Sequence, residues 1–299
     1  MNIILGCSGF IGQNILQALP DSLGISLRDK DWESKLFISK GDNIINLVGK
    51  AHDHGVKATE QDYHYANIEL VKQIFQAFIS SNAILLIHIS SLAALEEFGS
   101  NNHLTESEKC NPISWYGKSK REAEEWLLAQ RLPENKKLII LRPPMVHGLG
   151  DKGNLGLLYK LISKGIPYPL ASFTNKRSFI SIDNFTFFIK MIIDNQQKLN
   201  SGIYHIADDE SISTKEIIEI IKNVTGKNVL NIAMPKFLIR VVAKMGDILP
   251  IPLNSKRLKK MTSDLLVSNQ KIKQALGIEK LPLTAKDGLE QTIKSFRNL

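Results

Sequence analysis

The first twelve residues most tightly constrain the fold this chain can adopt. Asn2-Ile-Ile-Leu5 is a short apolar run that predicts a strand, and an apolar-periodic segment opening at Phe10-Ile11 predicts a helix. Between them the chain reads Gly6-Cys-Ser-Gly9-Phe-Ile-Gly12, a G-x-x-G-x-x-G turn. Glycine lets such a turn be tight, lets backbone approach a diphosphate, and lets the helix pack close on the strand. The helix N-terminus, with Phe10 and Ile11 in its first turn, then offers N–H donors and a positive dipole end. This unit predicts an α/β fold with a dinucleotide seated over the turn.

The following segments extend the same sheet. Gly24-Ile-Ser-Leu-Arg28 predicts the second strand, whose end meets the adenosine ribose. There a carboxylate selects a free 2′-hydroxyl and an arginine tolerates a 2′-phosphate. Arg28 comes first and Asp29 next, which tilts the reading to NADP(H) and leaves NAD(H) open. Asp42 to Gly49 predicts a third strand ending in a glycine beside the cofactor cleft. Only about a dozen residues separate it from the Arg28 strand, short for a full helix–strand–helix passage, so one sheet strand is expected to be reduced or missing. Ile68, Val71, Ile74, Phe75 and Phe78 recur at helical spacing, with Asn67 read as a polar helix-end residue. Ala83 to Ser91 predicts a buried strand with His88 in its core and the hydroxyls of Ser90 and Ser91 at its carboxyl end, where ligands of parallel sheets collect. Lys137 to Pro144 predicts another strand.

Between those two strands Ser114-Trp-Tyr-Gly-Lys-Ser-Lys120 opens a polar helix. Tyr116 and Lys120 sit four apart, so they share a helix face. A phenol beside an ammonium is a proton donor and acceptor whose ionised form is favoured.

Charge and cysteines narrow the partners. The net charge of +8 comes from cations mostly interspersed with acids, apart from Lys256-Arg-Leu-Lys-Lys260. No basic stripe with aromatic platforms suggests nucleic acid, and a small anionic ligand explains modest basicity equally well. Cys7 and Cys110 have no paired spacing and no histidine cluster, so neither a disulfide framework nor a metal site is expected, in keeping with a reducing cytoplasm. Phe237 to Leu249 is apolar but too short and too charged to span a bilayer, and with a strand predicted from Asn2 no signal peptide is expected.

The Gly6/Gly9/Gly12 turn, the Ser-Ser strand end, Tyr116-x-x-x-Lys120 and Leu141-Arg-Pro-Pro144, in that order, resemble the extended short-chain dehydrogenase/reductase family. Arg142 to Asn154, Gly165 to Leu170 and Asn175 to Asn184 resemble its nucleotide-sugar branch acting at C4. The resemblance implies a doubly wound, mostly parallel Rossmann sheet with a smaller, interleaved substrate-binding α/β portion. The expected division is 1–144 plus about 178–207 for the dinucleotide-binding domain, and 145–177 plus 208–299 for the sugar-binding portion.

Residue by residue, the resemblance implies Tyr116 as acid/base, and Lys120 holding the nicotinamide ribose and depressing the Tyr116 pKa. Ser91 would bond the reacting oxygen, with Ser90 as the fallback. Pro143 would line the nicotinamide pocket, Asn154 and Arg177 would face the substrate diphosphate, and Arg257 is a candidate second phosphate contact. The implied substrate is a UDP- or dTDP-linked sugar, the implied assembly a homodimer through two long helices. The expected activity is 4-reduction of a UDP-4-keto-6-deoxy-HexNAc, with a 4-epimerase retaining tightly bound NAD as the alternative. A non-catalytic nucleotide-sensing scaffold is a third reading, against which both Tyr116 and Lys120 stand. Leu92 and Ala93 replace the Asp-Glu of dehydratases, and His147 stands where a sugar-contacting Tyr is common. The stretch Leu92 to Phe98 also departs from the family's short turn after the hydroxyl.

Overall fold

Alternation of apolar side chains along the strands decides the layering. The computed structural model describes residues 1–38, 41–51, 58–100, 102–151, 153–165, 168, 172–227, 234–249 and 254–298. The chain runs β1 (Asn2–Leu5), α1 (Phe10–Ala18), β2 (Ser22–Ile25), α2 (Trp32–Ile38), β3 (Asn43–Asn46) and α3 (Glu60–His64). A π-helical turn, Tyr65–Glu69, leads directly into α4 (Leu70–Ser80), followed by β4 (Leu85–Ile89), α5 (Trp115–Leu128) and β5 (Lys137–Arg142). Then come β6 (Met145–His147), α6 (Asn154–Ser163), β7 (Lys176–Arg177), β8 (Phe179–Ser181), α7 (Ile182–Asp194), β9 (Gly202–His205) and β10 (Ile212–Ser213). The chain finishes with α8 (Thr214–Thr225), α9 (Lys236–Met245), α10 (Ser255–Thr262), α11 (Gln270–Leu276) and α12 (Ala285–Ser295).

Among the described residues the main sheet has the order β2-β1-β3-β4-β5-β9, parallel throughout. Ile4, Ile45, Leu85, Ile87, Ile139 and Leu141 face one layer, which contains α7. Ile3, Leu5, Ile44, Leu86, Leu138 and Ile140 face the other, with α2, α4 and α5. Both faces are covered, as a doubly wound sheet requires. The short passage from β2 to β3 has the expected consequence. The helix α2 is seven residues long, β3 lies directly on the far side of β1, and no strand lies outside β2 among the described residues.

The second strand ends earlier than its sequence predicts. It covers Ser22–Ile25, and Arg28 lies beyond it in a turn, where its N–H donates to Ser26 Oγ at 3.3 Å. Within the strand Gly24 pairs with Ile4, and a Cβ there would stand 2.9 Å from Cys7 Cβ. The turn closes with Asp29 N–H donating to Ser26 O at 3.2 Å.

A second core joins α6, β8, α8, α9 and α12 through Leu155, Phe179, Ile217, Ile221, Ile239 and Leu289. The helix α8 starts in a Ser213/Glu216 capping box and ends at Gly226 with φ 68°, both as its sequence predicts. We propose the division expected from the sequence, with one addition. Ile272, Leu276, Ile278 and Leu281 lie in the sheet core, so α11 and the residues after it belong with the sheet side. No helix among the described residues is long and apolar enough to cross a membrane.

Candidate functional site

The carboxyl ends of β1, β3, β4 and β5 converge on the start of α5. At the end of β1, Gly6 has φ 82° and packs on the backbone of Leu47, to which a Cβ would come within 3.0 Å. A Cβ at Gly12 would fall 2.7 Å from Cys7 Cα, so the helix meets the turn backbone to backbone. Gly9 precedes α1 with no side-chain cap, leaving the first-turn N–H groups of Phe10 and Ile11 unclaimed by such a cap. The Phe10 ring lies against the Gly148–Gly150 loop.

Tyr116 and Lys120 occupy the first turns of α5, whose N-cap Ser114 accepts from Gly117 N–H at 3.0 Å. Lys120 is buried, and its Nζ donates to Ile89 O at 2.9 Å while lying against Gly49, where a Cβ would be 3.0 Å away. Burial pulls its pKa down to about 8, with Glu124 pulling the other way. Tyr116 shares a hydrogen bond with Ser91. Although the residue is only half-buried, burial of its phenol is the largest influence and raises the pKa. The Ser91 bond lowers it, and the charges of Glu97 and Tyr63 raise it further. The sequence expectation of a phenol held low by Lys120 therefore differs from what is seen. The ammonium is turned to the end of β4, and desolvation dominates at the phenol.

The two serines separate cleanly. Ser91 meets Tyr116, whereas Ser90 donates to Glu124 Oε1 at 2.6 Å on the buried side of α5. Glu124 also receives Arg142 Nε at 2.8 Å and Nη2 at 2.6 Å, with both side chains sealed from solvent. Burial opposes the guanidinium charge, but the paired Glu124 outweighs it and leaves Arg142 above its usual range. Pro143, next along, is buried, and its carbonyl accepts from Leu92 N–H at 2.8 Å, tying the β4 and β5 ends together.

The unusual stretch after Ser91 forms a short 3-10 turn, Leu92–Ala94, and its Leu92 and Leu95 enter a small core with Ala207, Leu265 and Val267. Beyond it, buried Glu97 accepts from the N–H groups of Ile113 at 3.0 Å and Ser114 at 2.7 Å. Glu97 thus fixes the start of the Tyr116 helix. Neither its role nor that of Glu124 is foreseen from sequence. Glu124 lies one helical turn past Lys120 on the same face, a signal that could have found it.

Asn67 is also more than a helix-end residue. It is wholly buried in the π-turn, donating to Ser119 Oγ at 2.9 Å and exchanging bonds with the Lys50 backbone at 2.8 and 3.1 Å. It falls on the stripe of Val71, Ile74 and Phe78, and a polar residue there was the available clue.

Arg177 does not join the Tyr116 cluster directly. It is half-buried in β7 with Nη1 donating to Ser263 O at 3.2 Å, and burial lowers its pKa, against Asp264. Asp264 O accepts from Ser100 N–H at 2.9 Å, which joins Arg177's neighbourhood to the loop carrying Glu97. The side chains of Asn154, first in α6, and Arg257, in α10, lie outside the described residues. His147 is turned into the protein, toward α12. It is fully buried, with Nδ1 2.9 Å from Thr292 Oγ1 and Nε2 3.9 Å from Asp208. Burial pushes it down to about 4 and Asp208 up to about 7, so this contact is no strong ion pair at neutral pH. No group of three or more His, Cys, Asp or Glu among the described residues could hold a metal ion.

Comparison with known proteins agrees with this architecture. The chain is 26% identical to a UDP-glucose 4-epimerase of Vibrio cholerae, over 98% of this chain and 94% of that one. It is 23% identical to an N-acetyl-alpha-D-glucosaminyl-diphospho-ditrans,octacis-undecaprenol 4-epimerase of Escherichia coli O157:H7, with the same coverage. The crystal structure of UDP-glucuronic acid 4-epimerase from Bacillus cereus, with UDP-glucuronic acid and NAD, superposes with a TM-score of 0.79 at 18% identity, over 100% of this chain and 99% of that one. Residues 2–207 match the model of the NAD dependent epimerase/dehydratase family, and with more than half its length matched the chain belongs to that family.

Proposed function

We propose that this protein is a nicotinamide-dependent enzyme that inverts C4 of a nucleotide-linked hexose, a UDP- or dTDP-sugar. The observation that carries the reading is the Tyr116–Ser91 hydrogen bond beside buried Lys120, at strand ends that share a bare glycine turn. That turn fits a dinucleotide diphosphate, because Gly6 and Gly12 pack backbone on backbone against Leu47 and Cys7 and the first-turn N–H groups of α1 have no side-chain cap. Gly6, Gly9, Phe10, Ile11 and Gly12 would hold the diphosphate, Gly49 and Lys120 the nicotinamide ribose, and Pro143 the ring. When bound, the nicotinamide accepts and returns a hydride at C4. Tyr116 takes the proton from the O4 hydroxyl and gives it back, while Ser91 steadies the oxygen. Asn154 and Arg177 would hold the substrate diphosphate, with Arg257 as a second contact. A homodimer through α4 and α5 completes the proposal.

Epimerisation stands before net reduction because the curated relatives from Vibrio cholerae and Escherichia coli are both named as 4-epimerases. One observation favours the second reading, a 4-reductase of a UDP-4-keto-6-deoxy-HexNAc using NADP(H). Arg28 is exposed and makes no ion pair among the described residues, whereas Asp29 is taken by Lys35 at 2.8 Å. Purified protein should carry stoichiometric NAD by mass analysis and should equilibrate UDP-hexose or UDP-HexNAc epimers without net cofactor change. Oxidation of NADPH by 4-keto-6-deoxy sugars would put the reductase first, and neither activity would defeat both readings.

Glu97 supplies a pH test of the same site. Tyr116 is faced by Ser91, Glu97 and Tyr63, and the negative charge of Glu97 disfavours the phenolate. Glu97→Gln keeps an oxygen for the Ile113 and Ser114 N–H groups but removes that charge. The acid limb of the kcat profile is therefore expected to move to lower pH, and an unmoved limb would exclude Glu97 as an influence on the proton carrier.

A further inference from the structure

The helix α9 is apolar on its exposed side as well as on its buried one. Ile239 and Ala243, one turn apart, enter the core at 3% and 0% exposure. On the opposite side Phe237, Val241 and Met245, again one turn apart, stand 63%, 51% and 48% exposed. Leu238, Val242 and, past the helix end, Ile248 widen this apolar face, Ile248 being 87% exposed. Lys236, Arg240 and Lys244 form a cationic stripe along one flank, between the buried and the exposed apolar faces. A contiguous exposed apolar face of this kind marks a contact surface.

Its surroundings are strongly basic. The helix α10 packs beside α9, and the two are clamped by Asp247, whose carboxylate accepts from Ser255 N–H at 2.9 Å and Ser255 Oγ at 2.6 Å. Between residues 235 and 262 the sequence holds seven Lys or Arg against Asp247 alone, six of the chain's eight net positive charges. A second copy of this chain is a poor occupant, since docking α9 on α9 would bring two such clusters together. A neutral apolar groove would offer Arg240 and Lys244 no counter-charge beyond that of Asp247. An anionic phospholipid surface satisfies both features: acyl chains take Phe237, Val241 and Met245, while Arg240 and Lys244 reach to phosphate headgroups.

We propose that α9, flanked by basic α10, lies flat in the headgroup region of an anionic bilayer and docks the protein there without spanning it. The docked end adjoins the candidate site. Lys259 of α10 stands 4.8 Å from the centre of the Phe98 ring, next to Glu97, and Ser263 just after α10 receives Arg177. Docking therefore turns the sugar-binding rim toward the membrane surface.

The test is flotation of the full-length protein with vesicles of phosphatidylcholine alone or with one third phosphatidylglycerol. We expect at least tenfold more protein to float with the anionic vesicles, and this excess to fall in high salt. Phe237→Ser combined with Val241→Ser should abolish flotation, and Arg240→Glu combined with Lys244→Glu should do so through charge alone. Both double variants should keep the wild-type Tm and the wild-type turnover of soluble nucleotide sugar, so that a failure of docking is separate from a failure of the catalytic reading. Absence of wild-type flotation, equal flotation with neutral vesicles, or variants that float like the wild type would each overturn the proposal. So would a concentration-dependent dimer that Phe237→Ser dissolves.

Discussion

Tyr116→Phe is expected to lower kcat by about 10²–10⁴-fold, the range for loss of a positioned proton carrier. The ring stays, so its tilted contact with Tyr63, at 6.5 Å between centroids, is preserved. What disappears is the hydroxyl shared with Ser91. One net hydrogen bond contributes only about 0.5–1.5 kcal/mol, so the Tm should change little. Binding of nucleotide sugar, read by calorimetry, should persist, because diphosphate contacts are proposed elsewhere, at Asn154 and Arg177. A mutant with near-normal turnover would sink the assignment of the proton carrier. A mutant that also loses binding would point to a collapsed pocket.

Arg142→Met is expected to have the largest effect on stability. It removes one half of an ion pair in which Arg142 is 1% exposed and Glu124 not at all. Leaving the partner charge buried costs about 3–5 kcal/mol in comparable pairs. In a chain of this length that lowers Tm by roughly 10 °C. Arg121, 3.4 Å from Glu124, is partly exposed and offers incomplete compensation. The informative control is the double change Arg142→Met with Glu124→Leu. Removing both charges should recover most of the lost stability, since apolar replacements of buried pairs are often neutral or better. Failure of the double variant to recover would mean that Ser90, which bonds Glu124, matters more than the charge. Calorimetric melting of the three proteins separates these outcomes.

What could be read in advance divides along a physical line. Patterns carried by near neighbours were legible: the glycine turn at Gly6 to Gly12, the two-faced strands, the Tyr116/Lys120 spacing and the capping box at Ser213. That no strand lies outside β2 among the described residues was legible from arithmetic, because no helix and strand fit between Arg28 and Asp42. Interactions that close long loops were not. Glu97 reaches Ile113 and Ser114 across a loop whose path no local propensity dictates. Glu124 meets Arg142 only once α5 lies on the ends of β4 and β5. The end of β2 was misplaced because the chain turns at Ser26, whose hydroxyl and carbonyl accept from the Arg28 and Asp29 N–H groups. His147, aligned with a sugar-contacting position, turned out to be packed against Thr292 of the last helix, 145 residues away in sequence.

The π-turn at Tyr65–Glu69 has a consequence for how this helix could have arisen and could be undone. Leu70 N–H bonds Tyr65 O, one residue further back than an α-helix allows. The extra residue sets the phase between the α3 half and the α4 half. Deleting Ala66 would let a single unbroken α-helix form, a gain in regularity. It would also rotate everything on one side of the deletion by about 100° relative to the other. The α3 half could then keep its contacts, with Tyr63 against Tyr116, or Asn67 and the Val71, Ile74 and Phe78 stripe could keep theirs, but not both. The helix is thus a place where a one-codon deletion sets regularity of the helix against the seating of Tyr63 beside Tyr116.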